Sequence, residues 1–333
     1  MPYDVSDMTA TLFDGINYNG NDDDDDSLKD NARIYIVGGC ISDQTYSASL
    51  GYHICTEVTD MVSYYKPFLN VWKTDLQPAP TARFRHVAAR LGTNLYIAGG
   101  RNVTDGIVST IDVYDTILNT WSTISVPWTG ATSDGGAFTY NSQIYLIGGY
   151  DLYYNLISAL YAFNPSTSTF TPKLSMTYPR GDIAVATKNN YAYVFGGWNV
   201  TDKFCTALNY AERYDMINDE WETMANMLYK RGDLATGVIG NYIFSIAGET
   251  KDSDCNYSVP VNTVGRYDIE KNTWSVEEEL SINLFRFVGV SYNSTELDVN
   301  GKHYILLLSL SLTDTYLPLY LLSRLFVWWS RNI

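Results

Sequence analysis

Residues 86–121 read HVAARLGTNLYIAGGRNVTDGIVSTIDVYDTILNTW. Small residues open the stretch (HVAAR, 86–90), a tight turn follows at GTN, and an apolar run ends in Gly99–Gly100. Tyr114 and Trp121 come next, seven residues apart, with turn formers between them. Short apolar runs bounded by Gly and Asn read as strands joined by turns.

Both landmarks recur in each direction along the chain. Gly pairs end the runs IYIVGG (Gly38–Gly39), IYLIGG (Gly148–Gly149) and YVFGG (Gly196–Gly197), with a worn copy, FSIAG, at 244–248. From Gly39 the second position advances by 61, 49, 48 and 51 residues. Each pair is followed by two aromatics seven residues apart: Tyr65/Trp72, Tyr114/Trp121, Phe163/Phe170, Tyr214/Trp221 and Tyr267/Trp274. A fixed period near fifty residues marks an architecture of stacked, similar units.

Each unit reads as four strands, A to D. Strand A is rich in small residues: HVAAR, GAFTY (136–140), IAVAT (183–187), LATGV (234–238) and FVGVS (287–291). Strand B runs into the Gly pair, C carries the first aromatic, and D begins at the second. Four-stranded units repeated in this way form the blades of a β-propeller. The innermost strands crowd the axis, which small side chains allow. The glycines let the backbone leave strand B at a close approach that a Cβ would obstruct. The aromatics, among them Trp72, Trp121, Trp221 and Trp274, fill the wedge between blades, where a ring can bury about 150–250 Å².

The pattern of small A strand, IYxxGG and YDxxxNxW resembles that of kelch-repeat proteins over residues 8–292. The resemblance implies an all-β propeller that presents binding loops on one face. Five complete four-stranded blades and a partial sixth are expected. WD-type propellers fit poorly because no GH…WD pairing recurs, and sialidase-type propellers lack their S-x-D-x-G-x-T-W box here.

Two stretches depart from the repeat. An acidic segment, 15–32, interrupts the A–B hairpin of blade 1, and the propeller is expected to occupy 1–303. The remainder, 304–333, is hydrophobic and carries no Gly pair. Its residues 307–333 read LLSLSLTDTYLPLYLLSRLFVWWSRNI. Three readings stay open: improvised strands of blade 6, a membrane anchor, or sequence not shaped by this fold. Asp314, Pro318 and Arg324 break the uncharged run that an anchor needs.

Net charge is −15, which argues against nucleic acid as a partner, since phosphate contacts need a basic footprint. Residues 1–31 hold nine acidic residues and one lysine, so −8 of the total sits there, largely in Asp22–Asp26. That run reads as a solvated loop. As a calcium loop it lacks Gly at the sixth position and Glu at the twelfth. The N-terminus has no basic start followed by an apolar core, so a cytoplasmic location is expected. Cys40, Cys55, Cys205 and Cys255 show no CxxC spacing, and in a reducing cytosol they would be thiols. Sequons at Asn102, Asn199, Asn256 and Asn293 keep the secretory pathway open, where Cys205 and Cys255 could bridge neighbouring loops.

No catalytic constellation is apparent. His53, His86 and His303 are scattered, and neither a G-x-S-x-G elbow nor a phosphate-cradling loop occurs. No enzyme activity, cofactor or metal is expected. Two Arg-Gly-Asp triplets, 180–182 and 231–233, occupy one repeat position, each Arg lying 16 residues before the first position of its Gly pair, as Arg83 does. Strand parity opens the D–A and B–C loops on one face. Arg83, Arg180, Arg231 and Arg286 are expected there from the D–A side, and Arg101, Tyr150 and Trp198 from the B–C side. Arginine and aromatic residues are enriched at binding hot spots. The competing reading has these arginines paired with Asp134, Asp182 and Asp233 to lock adjacent blades. The chain therefore reads as an interaction scaffold or substrate-recognition module for a protein partner, with membrane association not expected. The alternative is a secretory glycan-binding or carbohydrate-modifying propeller.

Overall fold

Alternating apolar residues and αL-compatible turn residues close the chain into successive antiparallel hairpins. The computed structural model describes residues 5–16, 18, 32–42, 45–47, 52–67, 69–124, 128–199, 205–255, 257–284, 286–292, 303–308 and 325–329. For 45–47, 52–54, 292, 303–308 and 325–329 it describes the backbone alone. Most of the acidic insertion, including Asp22–Asp26, and the sequons at Asn256 and Asn293 lie outside the described residues.

Five sheets have four strands each, in chain order from A to D. Blade 1 comprises Thr9–Phe13, Arg33–Val37, Val62–Lys66 and Val71–Lys73. Blade 2 comprises Val87–Leu91, Asn94–Ala98, Ile111–Asp115 and Thr120–Ile124. Blade 3 comprises Gly136–Tyr140, Gln143–Ile147, Leu160–Asn164 and Thr169–Lys173. Blade 4 comprises Ala184–Lys188, Tyr191–Phe195, Ala211–Asp215 and Glu220–Thr223. Blade 5 comprises Ala235–Ile239, Tyr242–Ile246, Val264–Asp268 and Thr273–Val276. A sixth sheet pairs Val288–Tyr292 with His303–Leu308, and that strand with Leu325–Trp329. Strand His303–Leu308 crosses the expected boundary at 304, and 325–329 adds a third strand to the same sheet. The A strands pack in cyclic order, blade 6 against blade 1 included, so the ring closes.

The core lies between blades. Val87, Tyr96 and Ile111 of blade 2 meet Ile144, Leu146 and Phe163 of blade 3, and the other interfaces repeat this arrangement. Both glycines of a pair sit at positive φ, and they are needed for different neighbours. A Cβ on Gly38 or Gly196 would stand 2.5 Å from the carbonyl oxygen of Arg83 or Arg231, in the next blade. A Cβ on Gly100 would stand 2.6 Å from the carbonyl oxygen of Phe84, in its own blade. The second glycine also donates its N–H across the blade boundary: Gly39 to Arg83 O at 2.9 Å and Gly197 to Arg231 O at 2.9 Å.

The YDxxxNxW element is a C–D hairpin that also fastens blades together. Tyr114 and Trp121 face each other in register with ring centroids 4.9 Å apart, and the other four pairs lie at 4.8–5.1 Å. Asp115 caps the turn by accepting from the N–H groups of Ile117 and Leu118. Asn119 takes the αL position, accepts the Tyr114 hydroxyl at 2.6 Å, and accepts the N–H of Gln77 at 2.9 Å. The Trp121 indole N–H donates to Gln77 O at 2.9 Å, so the hairpin holds the preceding D–A segment. Blade 4 repeats this with Asp219, Trp221 and Leu174, and blade 5 with Asn272, Trp274 and Ala225.

Candidate interaction face

The segment before each A strand pairs with the residue just after that blade's Gly pair. The bridges are Ser6–Cys40, Phe84–Arg101, Ser133–Tyr150, Gly181–Trp198 and Gly232–Glu249. The D–A and B–C loops therefore share one end of the propeller, around the mouth of the central channel.

Six of the seven side chains expected to line this face are buried beneath it. Arg83, Arg101, Arg180 and Arg231 are each at most 1% exposed, and Tyr150 and Trp198 are 2% exposed. Arg180 donates to the carbonyls of Gly196 (3.0 Å) and Tyr210 (2.9 Å) and to Glu212 Oε2 (2.9 Å), tying the end of strand B to the start of strand C. Arg83 does the same with Gly99 O, Thr110 O and Asp112. Arg231 reaches Ala247 O and Thr263 O at 2.8 Å each but has no carboxylate opposite, because Gly265 stands where blades 2 and 4 have Asp112 and Glu212. Burial without a counter-ion lowers its pKa to about 10. The carboxylates paired with Arg83 and Arg180 thus belong to their own blades' C strands and are not Asp134 and Asp182.

Arg286 is not a fourth member of that set. Leu284 occupies the equivalent place, accepting the N–H of Gly248, and Arg286 lies two residues further on with Asp7, Arg85, Asp134, Asp182 and Asp233.

The residues after the Gly pairs act as clasps onto the next blade. Arg101 donates to Ser133 Oγ (3.0 Å) and Asp151 O (2.7 Å), and its guanidinium lies 3.6 Å from the centre of the Tyr154 ring. The Tyr150 ring fills the space that a Cβ on Gly181 would need, and its hydroxyl donates to Asp182 Oδ2 at 2.7 Å. Trp198 lies likewise against Gly232. Each Arg-Gly-Asp triplet is consequently divided. Its Arg is buried in the blade, its Gly lies under a neighbouring aromatic, and its Asp lines the channel.

What the face does display was not read from the sequence. Val103, Leu152, Tyr153, Tyr257 and Val259 on B–C loops, and Tyr178, Leu228 and Tyr229 on D–A loops, are exposed large apolar residues. Tyr153 is 79% and Tyr257 73% exposed. Tyr178 and Tyr229 share one repeat position, two residues before Arg180 and Arg231, and Val103 and Leu152 another, three residues after Gly100 and Gly149, whereas Tyr153 and Tyr257 fall at different offsets. Their signal was apolar residues inside loops, which composition alone does not separate from buried ones.

The cysteines all lie on these B–C loops and all pair, Cys40 with Cys55 and Cys205 with Cys255, with Cα–Cα separations of 5.8 and 5.1 Å. The second bridge joins blade 4 to blade 5. Of the histidines, His86 is buried at the channel wall against Thr9 Oγ1 (2.9 Å), and burial lowers its pKa to about 3. Among the described residues, no three His, Cys, Asp or Glu side chains could hold a metal ion, and no helix is long and apolar enough to cross a membrane.

Comparison with known proteins agrees with this geometry. The Kelch motif family model matches residues 82–125 and 179–228, the blades with the full Arg–carboxylate arrangement. Kelch-like protein 15 of Danio rerio is 34% identical over 122 residues, 36% of this chain and 18% of that protein. Kelch-like protein 15 of Homo sapiens is 32% identical over 111 residues, 33% of this chain and 17% of that protein. Kelch-like protein 22 of Homo sapiens is 29% identical over 90 residues, 27% of this chain and 13% of that protein. The matching stretch thus spans less than a fifth of these relatives' own length. The solved structure of YjhT superposes with a TM-score of 0.68 over 92% of this chain and 96% of that one, at 14% identity, a likeness of fold. Repeat spacing, sheet order and superposition converge with the family motif: the chain is a β-propeller that carries Kelch motifs at residues 82–125 and 179–228, with five four-stranded blades and, among the described residues, a three-stranded sixth.

Proposed function

We propose that the protein is a partner-binding propeller, a scaffold or substrate-recognition module that takes a protein on the D–A/B–C face. The observation that carries this reading is the concentration of exposed apolar side chains on those loops, with Tyr153 and Tyr257 the most exposed among them. Tyr and other apolar anchors at a rigid surface are the residues that dominate binding energies. The buried arginines and aromatics support the face from below: by fixing loop to loop they hold the exposed residues in place, which lowers the entropy lost on binding. The kelch-like relatives are consistent with a propeller that binds a protein.

The test is capture by the whole chain. Tyr153→Asp with Tyr257→Asp is expected to weaken partner capture at least about tenfold. Leu118→Asp with Ile217→Asp, exposed positions in the C–D turns, should leave capture intact. Equal loss from both pairs would remove this face from consideration.

A secretory glycan-binding or carbohydrate-modifying propeller is the second reading. It is favoured by the pairing of all four cysteines, together with the sequons at Asn102 and Asn199. A mass shift on endoglycosidase treatment, and glycan-array signal that survives Tyr153→Asp, would support it over the first.

A further inference from the structure

The residues that open the six A strands form a ring of their own. Asp7, Arg85, Asp134, Asp182, Asp233 and Arg286 all adopt positive φ, between 50° and 57°. Each N–H from Arg85 to Asp233 donates to the carbonyl of the ring residue one blade back, at 2.8, 2.9, 2.8 and 3.1 Å. The five relay residues and Arg286 line a cavity of about 250 Å³ at the channel mouth. Non-glycine residues rarely take this conformation, and the relay holds Asp7, Arg85, Asp134, Asp182 and Asp233 in it.

The charges around the ring are unevenly placed. Arg85 and Arg286 flank Asp7, and Arg85 Nε lies 3.7 Å from Asp134 Oδ1. Among the described residues of the ring, no cation lies between Asp134 and Asp182 or between Asp182 and Asp233, while Arg85 and Arg286 act from the two ends of the arc. Glu249, 4% exposed, adds another carboxylate near Asp182 and Asp233. The remaining titratable group on the wall is His86, kept neutral by burial. On the cavity wall Asp134 Oδ2, on a side chain 6% exposed, has no hydrogen-bond partner, and neither has Glu249 Oε2, which lies behind the wall. A buried carboxylate oxygen left so is costly. Burial and mutual repulsion raise Asp134, Asp182 and Asp233 above the usual carboxylate range, so the arc gains when a positive charge arrives.

We infer that this mouth is a receptor for a cationic head group, the guanidinium or ammonium of an arginine or lysine side chain presented by the partner. The inference rests on the partner-binding reading and supplies the partner's chemistry. A bare metal ion suits the arc poorly, since no three acidic groups converge closely enough among the described residues. A guanidinium can instead donate to several separated carboxylates at once through its planar set of N–H groups. The protein's net charge of −15 favours the approach of a basic segment in general.

Capped Gly-Gly-Arg-Gly-Gly and its neutral isostere with citrulline in place of arginine, titrated into the isotopically labelled full chain at low ionic strength, test the idea without any partner. Saturable shifts of the ring amides with the arginine peptide, at least tenfold tighter than with the citrulline peptide, are expected. Asp182→Asn keeps an acceptor for Tyr150 and should weaken the arginine peptide at least fivefold. Asp233→Asn serves the same purpose should the first variant fold poorly. The arginine peptide should also tighten as pH rises above the ordinary carboxylate range, because the raised carboxylates ionise only there. Equal binding of the two peptides, or no ring response to arginine, overturns the cation receptor and leaves the Tyr153/Tyr257 experiment standing. Ring binding that survives alongside capture insensitive to Tyr153 and Tyr257 overturns the face and keeps the receptor.

Discussion

The arginine before strand A shows how one side chain can be structural in a setting that resembles a binding ring. Arg180 and Glu212 are both 0% exposed, and the guanidinium also satisfies two carbonyls. Removing one partner of such a pair leaves a buried charge alone, at a cost of about 3–5 kcal/mol. Arg231 has no carboxylate to orphan, so its removal leaves two carbonyls and a cavity. Arg180→Met is therefore expected to destabilise more than Arg231→Met, and Arg180→Met with Glu212→Leu to recover much of the difference. Urea unfolding of the three variants checks the order; equal losses from the single variants would mean that the carboxylate contributes nothing. This buried role left a trace in the sequence, although each residue alone concealed it. Blades 2 and 4 have Arg with an acid in strand C, and blade 3 has neither, with Thr132 and Tyr161 in those places. The two positions lie 29 or 32 residues apart, and nothing short of folding says that the arginine turns inwards.

At the scale of the element, the C–D hairpin was legible because everything it needs is local. Tyr114, Asp115, Asn119 and Trp121 lie within eight residues and make the ring pair, the cap, the αL turn and the inward hydroxyl bond. The function of Trp121 beyond its own hairpin was less legible, since Gln77 lies 44 residues away in the D–A segment. Trp121→Phe should keep most of the packing while losing the indole bond, at about 0.5–1.5 kcal/mol. Trp121→Ala should lose the packing as well, for a total of about 3–5 kcal/mol. If thermal melts show the two variants equal, the hydrogen bond to Gln77 dominates and the ring contributes little. The loops resisted reading for the opposite reason. Tyr153 and Tyr257 share no repeat position, so their exposure is a property of the folded surface alone.

For the molecule as a whole, the question is what keeps a ring of six similar sheets from opening. Each of the five interfaces from blade 1 to blade 6 is a strip of core backed by a hydrogen bond from the glycine that ends strand B, and closure adds the contact between the A strands of blades 1 and 6. Between blades 4 and 5 there is also a covalent link, since Cys205–Cys255 closes a loop of 50 residues. In the chain-entropy account such a loop contributes about 4 kcal/mol, against about 3 kcal/mol for the 15-residue loop of Cys40–Cys55. Spread over a chain of 333 residues, 4 kcal/mol corresponds to about 6 °C in melting temperature. Cys205→Ser with Cys255→Ser is thus expected to melt about 6 °C lower and Cys40→Ser with Cys55→Ser slightly less. A reductant should lower the wild type and leave the fourfold variant unchanged. Because the second bridge joins two B–C loops, its loss should also increase amide exchange at Trp198 and Glu249, on the same face as Tyr257. A wild type whose melting temperature ignores the reductant would mean that the ring is held by its interfaces alone.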